Sequence, residues 1–213
     1  MPAVTSSQRA SAYGQHREPT VVDQFGVWLG AVAVRRHARF ERARFADFGC
    51  GFNASFARTQ LAACRSALLV DVALSDDLKQ DPRVTAIEGW LPDVLPRVDE
   101  SSLDVVLCLS VLEHLPEPQE ALNHVYRVLV PGGVAILNVP TWRGKWFLEL
   151  SAFKLGWSPA EEMDDHKAYY DPRDLWPMLV RAGFRPSQIR CYRHKFGLNT
   201  SAVCRREPGD GAV

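Results

Sequence analysis

Short apolar runs alternate with helical patterns along most of the chain. Five runs rich in Val, Leu, Ile, Ala and Phe predict β-strands at 44–48, 67–71, 84–87, 103–110 and 134–139. Apolar residues at helical spacing predict helices at 20–39, 53–65 and 118–129. Apolar strands that alternate with helices are typical of a parallel sheet covered on both faces. The pattern therefore predicts an α/β fold.

The last third of the chain has a different pattern. A helix is predicted at 172–182, ended by Gly183, a residue that favours the end of a helix. Two strand-like stretches follow at 188–194 and 199–205. The four residues between them are too few for a helical crossover, so we expect these two strands to pair antiparallel.

The chain shows no internal repeat and no linker that would divide it. We expect one domain over residues 20–206, preceded by a polar, flexible arm at 1–19 and followed by a frayed tail at 207–213. Its formal net charge is zero, from 25 basic and 25 acidic residues. Proteins that bind nucleic acid usually carry a basic surplus, so we expect no nucleic-acid partner.

The number of cysteines and the hydropathy of the chain bear on its cellular localisation. The five cysteines are odd in number and contain no C-x-x-C pair, so neither a disulfide framework nor a zinc site is indicated. The apolar stretch 27–34 is far shorter than the roughly 20 residues needed to cross a bilayer. Without a secretory pattern at the start, we expect a cytoplasmic protein with no stable membrane insertion.

A glycine-containing loop carries the first functional signal. The pattern Gly49-x-Gly51-x-x-Ala54 follows the first strand and opens a helix, and Asp71 stands at the end of the next strand. Glycines allow a backbone to approach a ligand closely, and a carboxylate can accept hydrogen bonds from two ribose hydroxyls. A nicotinamide cofactor and S-adenosylmethionine both carry an adenosine ribose, so this pattern alone leaves both open.

Three further features distinguish these ligands. Asp47 stands two residues before the first glycine, where its carboxylate would repel a pyrophosphate but suit an ammonium group. The pair Glu113-His114 follows the fourth strand, and Pro131-Gly132-Gly133 joins a helix to the fifth. With the glycine loop, these features make residues 45–140 resemble the class I S-adenosylmethionine-dependent methyltransferases, especially the broad group that acts on small molecules.

The resemblance implies a fold and a methyl donor. The fold is a single Rossmann-like domain with a seven-stranded, mostly parallel sheet, an antiparallel last strand and helices on both faces. The donor is S-adenosylmethionine, which leaves as S-adenosylhomocysteine. The resemblance also implies a set of donor-binding residues, namely Asp47, Gly49, Cys50 and Gly51 for the methionine part, Asp71 for the ribose, Val72, Gly89, Trp90 and Leu91 for the adenine, and Leu109, Ser110 and His114 near the sulfonium.

Two positions depart from the family pattern. Asn53 stands where the family often has a third glycine. An acidic residue usually meets the adenine amino group near Trp90, and the nearest here are Glu88 and Asp93. Trp90 is interpreted either as a ring that stacks on the base or as a core aromatic.

The acceptor side is less specific. His114 and His166 are the candidate bases, although His114 also suits a role in shaping the site and His166 suits a solvated helix entry. Three adjacent polar residues, 164–166, cannot easily converge on one ion, so no metal is predicted. Residues 142–170 are interpreted as a cap over the acceptor, with Trp142, Trp146, Tyr169 and Tyr170 as candidate acceptor-binding residues. A helix that simply packs on the sheet would show the same aromatic spacing.

The sequence thus predicts an enzyme that methylates a small molecule, with an oxygen as the first choice of acceptor atom and a hydrophobic or carrier-bound acceptor as one option. Two alternatives remain. An NAD(P)-dependent oxidoreductase would share the glycine loop, but no Tyr-x-x-x-Lys pair follows the fourth strand. A non-catalytic S-adenosylmethionine-binding scaffold would keep the donor residues. The sequence names neither the acceptor nor the oligomeric state.

Overall fold

The computed structural model describes residues 12–15, 21–144 and 167–209, with the backbone alone described for 21–28. Within these residues, seven strands form one sheet. The strands are β1 Arg44–Phe48, β2 Ser66–Asp71, β3 Val84–Glu88, β4 Leu103–Leu109, β5 Leu129–Pro140, β6 Ile189–His194 and β7 Asn199–Arg205. Their order across the sheet is β3-β2-β1-β4-β5-β7-β6.

The pairing of the strands confirms the predicted sheet. β1 pairs in parallel with β2 on one side and with β4 on the other, and β4 continues in parallel to β5. β7 pairs antiparallel with both β5 and β6. Among the strands of the described residues, β7 is therefore the one that runs against the rest.

Helices cover both faces of this sheet, and alternate side chains of each strand point to opposite faces. The helices are α1 Val21–His37, α2 Ser55–Arg58, α3 Asp76–Gln80, α4 Pro118–Val128 and α5 Pro172–Ala182. Phe45 and Leu69 join the apolar cluster that includes residues of α1, α2 and α3. Phe48 and Val106 join the cluster that includes α4 and α5. The helices of the two halves thus pack on different faces.

The helix predicted at 53–65 is wrong in length, because α2 covers only Ser55–Arg58. Ala54, directly before it, has a left-handed backbone with φ 42°. After α2, the amides of Thr59 and Gln60 bond to the carbonyls three residues back, so the chain continues in tight turns. The sequence analysis also missed α3, which is short and polar.

The strand ends define the edge of the sheet at which ligands of open α/β folds bind. The parallel strands β1 to β5 all end at this edge, which we call the carboxyl edge. β5 ends there at Pro140. Because β7 runs the other way and Asn199 pairs with Pro140, β7 begins at this same edge. The turn between β6 and β7 therefore lies at the carboxyl edge. No helix in the described ranges is long and apolar enough to cross a membrane.

Gly183, at the end of α5, offers a test of this packing. Its φ is 116°, and a Cβ placed there would lie 2.9 Å from Cε1 of Tyr126 on α4. We expect Gly183→Ala to lower the free energy of unfolding by about 2–4 kcal/mol, because backbone strain and the steric clash add. Gly132→Ala is the matched control, since Gly132 also has positive φ (83°) but no atom within 4 Å of that Cβ. We expect Gly132→Ala to lower the free energy of unfolding, measured by urea denaturation, by only about 1 kcal/mol. Equal costs for both variants would show that the ring of Tyr126 is not held against α5.

Candidate functional site

The loop after β1 is built on left-handed backbone. Gly49 and Gly51 have φ values of 74° and 77°, a region that side chains with a Cβ rarely adopt. A Cβ on Gly49 would also collide with the side chain of Val111, which follows β4. The two glycines therefore keep this loop close to the end of β4 and leave its backbone open to a ligand.

Asp71, the last residue of β2, is tied to this loop. Its Oδ2 accepts a hydrogen bond from the Gly51 amide at 2.7 Å, and its Oδ1 accepts one from the Val72 amide at 2.8 Å. Each carboxylate oxygen can accept two hydrogen bonds. Asp71 thus fixes the glycine loop, and its carboxylate is a group of the kind that accepts hydroxyl donors.

Asp47 is a buried carboxyl in the middle of the sheet. It lies on β1 between Leu69 of β2 and Leu107 of β4, and it is only 4% exposed. Burial raises the pKa of Asp47 to about 7, and the nearby Asp71 carboxylate adds to the rise. A positive charge brought close to Asp47 would favour its ionised form and would be attracted by it in turn.

Residues 12–15 of the segment expected to be a flexible arm pack against the same loop. The Phe52 amide donates to the Tyr13 carbonyl at 2.9 Å, and Ala12 is buried. A Cβ on Gly51 would lie 3.2 Å from that carbonyl oxygen. Gly51 therefore accommodates this segment as well as the turn itself.

The residues that follow β3 form the next part of the carboxyl edge, beside the end of β2. Gly89 has φ 149°, and a Cβ there would collide with Val94. Trp90 and Leu91 follow, each partly exposed. Glu88 Oε1 accepts from the Leu74 amide at 2.8 Å, so this carboxylate holds the turn after β2.

A buried amide connects the carboxyl ends of β4 and β5 with the start of β7. The Ser110 amide donates to the Asn138 carbonyl at 2.7 Å, and Ser110 itself has a left-handed φ of 57°. The side chain of Asn138 donates to Ser201 Oγ at 2.8 Å and accepts from Asn199 Nδ2 at 2.9 Å. The sequence analysis missed Asn138, because its importance depends on β7 lying beside β5. This network fixes the backbone of Ser110 next to half-buried Leu109.

Glu113 and His114 have different surroundings although they are consecutive. His114 is partly exposed, whereas Glu113 is only 1% exposed. Glu113 Oε2 is buried without a hydrogen-bond partner among the residues that the structure describes. Burial raises the pKa of Glu113 to about 8, and the Lys195 ammonium opposes the rise.

Residues 167–170 pack against the segments that carry Glu113 and Pro140. The Lys167 amide donates to the Glu113 carbonyl at 2.7 Å, and the Tyr170 amide donates to the Pro140 carbonyl at 2.9 Å. Tyr170 is buried. The rings of Tyr169 and Trp142 lie 5.4 Å apart, and Trp142 is 49% exposed. The other two predicted acceptor-side residues, Trp146 and His166, lie outside the described residues.

The turn between β6 and β7 completes the carboxyl edge. Lys195, Phe196 and Gly197 all have positive φ, at 48°, 58° and 84°. Such backbone costs about 1–2 kcal/mol for a residue other than glycine, so neighbouring contacts must hold it. Thr141 does so, with its hydroxyl donating to the Gly197 carbonyl and its amide to the Leu198 carbonyl, each at 2.9 Å. Phe196 is 89% exposed at the tip of the turn.

The structure thus brings most of the predicted site residues to one edge of the sheet. Asp71 bonds directly to the glycine loop that follows Asp47, while Ser110 and His114 follow the adjacent β4. Asp71 provides a carboxylate that can accept hydroxyl donors, and Asp47 provides a buried carboxyl that would attract a cation. The loop from Gly49 to Gly51 provides backbone that a ligand can approach closely. These are the features that a nucleoside carrying an amino-acid chain requires.

Comparison with known proteins supports this interpretation. A family model described as a methyltransferase domain matches residues 24–189. A ubiquinone biosynthesis O-methyltransferase of Idiomarina loihiensis is 28% identical over 67% of this chain and 62% of its own length. An uncharacterized methyltransferase of Mycobacteroides abscessus is 32% identical over 50% of this chain and 43% of its own. The chain spans about half the length of the curated relatives it matches.

Solved structures share the fold. An O-methyltransferase family protein of Burkholderia thailandensis aligns with TM-score 0.62 and 18% identity, over 85% of this chain and 56% of its own. A S-adenosylmethionine-dependent methyltransferase of Thermotoga maritima aligns with TM-score 0.61 and 16% identity, over 86% of this chain and 90% of its own. The chain therefore belongs to the methyltransferase-domain family and has the fold of the class I S-adenosylmethionine-dependent methyltransferases.

Proposed function

We propose that this chain transfers a methyl group from S-adenosylmethionine to a small-molecule acceptor, with an oxygen as the first choice of acceptor atom. The observation that carries the proposal is the Asp71 carboxylate bonded to the Gly51 amide beside the buried carboxyl of Asp47. Several of its relatives are named ubiquinone biosynthesis O-methyltransferases, which supports the choice of an oxygen acceptor.

The residues present fit the donor. Asp71 would accept the ribose hydroxyls, while Val72 and the segment Gly89, Trp90 and Leu91 would border the adenine. Gly49, Cys50 and Gly51 would present their backbone to the methionine part, where a Cβ on either glycine would meet a neighbouring group. Asp47 would face the amino group, whose positive charge offsets the cost of burying an ionised carboxyl.

When bound, S-adenosylmethionine supplies a methyl group already activated by its sulfonium. The chain then has to hold the acceptor atom in line with that methyl, and good orientation contributes roughly 7–11 kcal/mol. Leu109 and left-handed Ser110 would lie beside the reacting centre, with their backbone fixed by Asn138. His114, partly exposed on the same edge, is the proposed base for a neutral hydroxyl, worth about 10²–10⁴-fold in rate.

The role of Asp71 can be tested by calorimetric titration with S-adenosylhomocysteine and, separately, with NAD(H). We expect S-adenosylhomocysteine to bind and Asp71→Ala to weaken it at least about 30-fold, because two hydroxyl hydrogen bonds and the support of Gly51 are lost together. Asp76→Ala, at an exposed carboxylate a few residues further on, is the control and should change the affinity less than twofold. Binding of NAD(H) without S-adenosylhomocysteine would contradict the proposal and favour an oxidoreductase.

The pKa of Asp47 predicts a pH dependence. An ammonium ligand favours the ionised carboxylate, whereas the pKa of about 7 in the free protein keeps Asp47 mostly protonated below neutrality. We therefore expect the affinity for S-adenosylhomocysteine to rise up to tenfold per pH unit between pH 5 and 7 and to level off above. Asp47→Asn should remove this dependence.

The stability of the free protein provides an independent check of the same group. A carboxyl whose pKa is raised from 3.8 to about 7 on folding destabilises the fold as pH rises through that interval. Asp47→Asn should therefore gain stability relative to the wild type between pH 4 and 7, measured by thermal unfolding without ligand. Parallel pH profiles for the two proteins would show that Asp47 is not buried as a titrating group.

A further inference from the structure

Lys195 occupies an unusual position for a surface turn. It opens the β6–β7 turn with a left-handed backbone and is only partly exposed, while the next residue, Phe196, is 89% exposed. Thr141 holds this turn against the end of β5 through two hydrogen bonds of 2.9 Å. A strained, pinned backbone therefore keeps a lysine at the carboxyl edge, next to the segment that carries Trp142.

A buried glutamate interacts electrostatically with this lysine. Glu113 follows β4 and is 1% exposed, and its Oε2 has no hydrogen-bond partner within the described part of the chain. Burial lowers the pKa of Lys195, and the carboxylate of Glu113 opposes that change. Backbone hydrogen bonds connect the segments that carry these two groups. The Lys167 amide donates to the Glu113 carbonyl, and the Tyr170 amide donates to the carbonyl of Pro140, which precedes Thr141.

The balance between these two charges depends on pH. Below about pH 8 the buried Glu113 is mostly protonated, so it compensates little of the positive charge of Lys195. Among the residues that the structure describes, the other titratable groups near Glu113 do not supply a compensating negative charge. Burial and Glu113 raise the pKa of the Tyr170 hydroxyl to about 12, and they also raise the pKa of the Cys108 thiol. His114 is the adjacent residue, and it is neutral or positive.

We propose that Lys195 is the specificity-determining residue for the acceptor and selects an acceptor that carries a negative charge, a phenolate or a carboxylate. Glu113 tunes this selectivity, because its carboxylate competes for the ammonium when it is ionised. This inference rests on the proposed methyl transfer and deepens it. The turn held by Thr141 places Lys195 at the edge of the sheet where Ser110 and His114 follow β4. The ring pair of Trp142 and Tyr169 includes the residue next to Thr141.

An anionic acceptor simplifies the chemistry of the site. Its proton has left to solvent before the reaction, so no base on the chain is needed. The acceptor oxygen forms its bond to the methyl carbon as the carbon–sulfur bond breaks, and that electron pair stays on sulfur. Lys195 would stabilise the anionic acceptor oxygen. Where the anionic group is instead a carboxylate beside a hydroxyl acceptor, that hydroxyl would still lose its proton to His114, the proposed base. In both cases the site favours acceptors with an acidic group over those without one.

The test uses the full chain loaded with S-adenosylhomocysteine and a panel of simple acids, 4-hydroxybenzoate, benzoate and decanoate, each compared with its neutral primary amide by calorimetry at pH 6.5. We expect at least one acid to bind tenfold or more tightly than its amide. Lys195→Met should abolish that preference, and Lys195→Arg should retain part of it. Lys167→Met removes an exposed positive charge from the same edge and should leave the preference unchanged.

A pH series separates charge recognition from a merely structural role of the turn. Above about pH 8, Glu113 ionises and competes for Lys195, so the acid preference should fall several-fold between pH 7 and 9 in the wild type. In Glu113→Gln it should stay constant over that range. NMR titration of the Glu113 carboxyl should show a higher pKa in Lys195→Met than in the wild type, whatever ligand is present.

Three results would overturn the inference: equal binding of acids and amides, equal loss in the Lys195 and Lys167 variants, or a Glu113 pKa that does not move in Lys195→Met. Binding of S-adenosylhomocysteine in the same experiment reports on the donor side. If it binds and no acid is preferred, the role of Lys195 is wrong while the proposed methyltransferase function stands. If it does not bind, the failure lies in the proposed function.

Discussion

The parallel pairing of β1 with both β2 and β4 is the constraint on which the rest of the structure depends. It makes the carboxyl ends of three strands level, so that the loop after β1 lies between Asp71 on one side and Val111 on the other. That loop can fit only with glycine at residue 49, and its amide at Gly51 then reaches the Asp71 carboxylate. Each donor-side contact is a consequence of this one register.

Two buried carboxyls stand near opposite ends of the proposed reaction. Asp47 lies below the donor loop and Glu113 on the acceptor side, and burial raises the pKa of both toward or above neutrality. An ionised carboxyl without a partner is costly in a protein interior, so both groups weaken the free protein when they ionise. A ligand ammonium would offset that cost at Asp47, and Lys195 partly offsets it at Glu113. At Asp47, the fold thus carries a buried group whose charge becomes favourable only when a cationic part of a ligand binds beside it.

The sequence predicted the first four strands well because each is a short apolar run bounded by polar or glycine-containing turns. The bounds of β5 were wrong, because this strand begins at Leu129 and contains Pro131-Gly132-Gly133, which was predicted as a turn before it. The sequence also predicted the glycine loop after β1, whose residues are close together in the chain. The length of α2 was wrong because the left-handed backbone of Ala54 and the tight turns after Arg58 leave no trace in hydrophobic spacing.

The site residues that the sequence did not reveal come together only through tertiary structure. Asn138 matters because β7 lies beside β5, and Lys195 matters because the β6–β7 turn returns to the edge that carries Glu113. The contact of Tyr13 with Phe52 joins segments that are far apart in the chain and share no pattern. Periodicity and motif spacing report local structure, and none of these contacts is local.

The position of β7 also governs the order in which the sheet can be assembled. β7 lies between β5 and β6, although β6 precedes it in the chain. As the chain leaves the ribosome, β6 emerges before the strand that will pair with it, and β5 exposes an unpaired edge until residues 199–205 have been made. The polar network of Asn138 and the turn that carries Lys195 are completed at that late step. A nascent chain that lacks β7 would therefore leave the edge of β5 unpaired, and an unpaired strand edge is prone to aggregation.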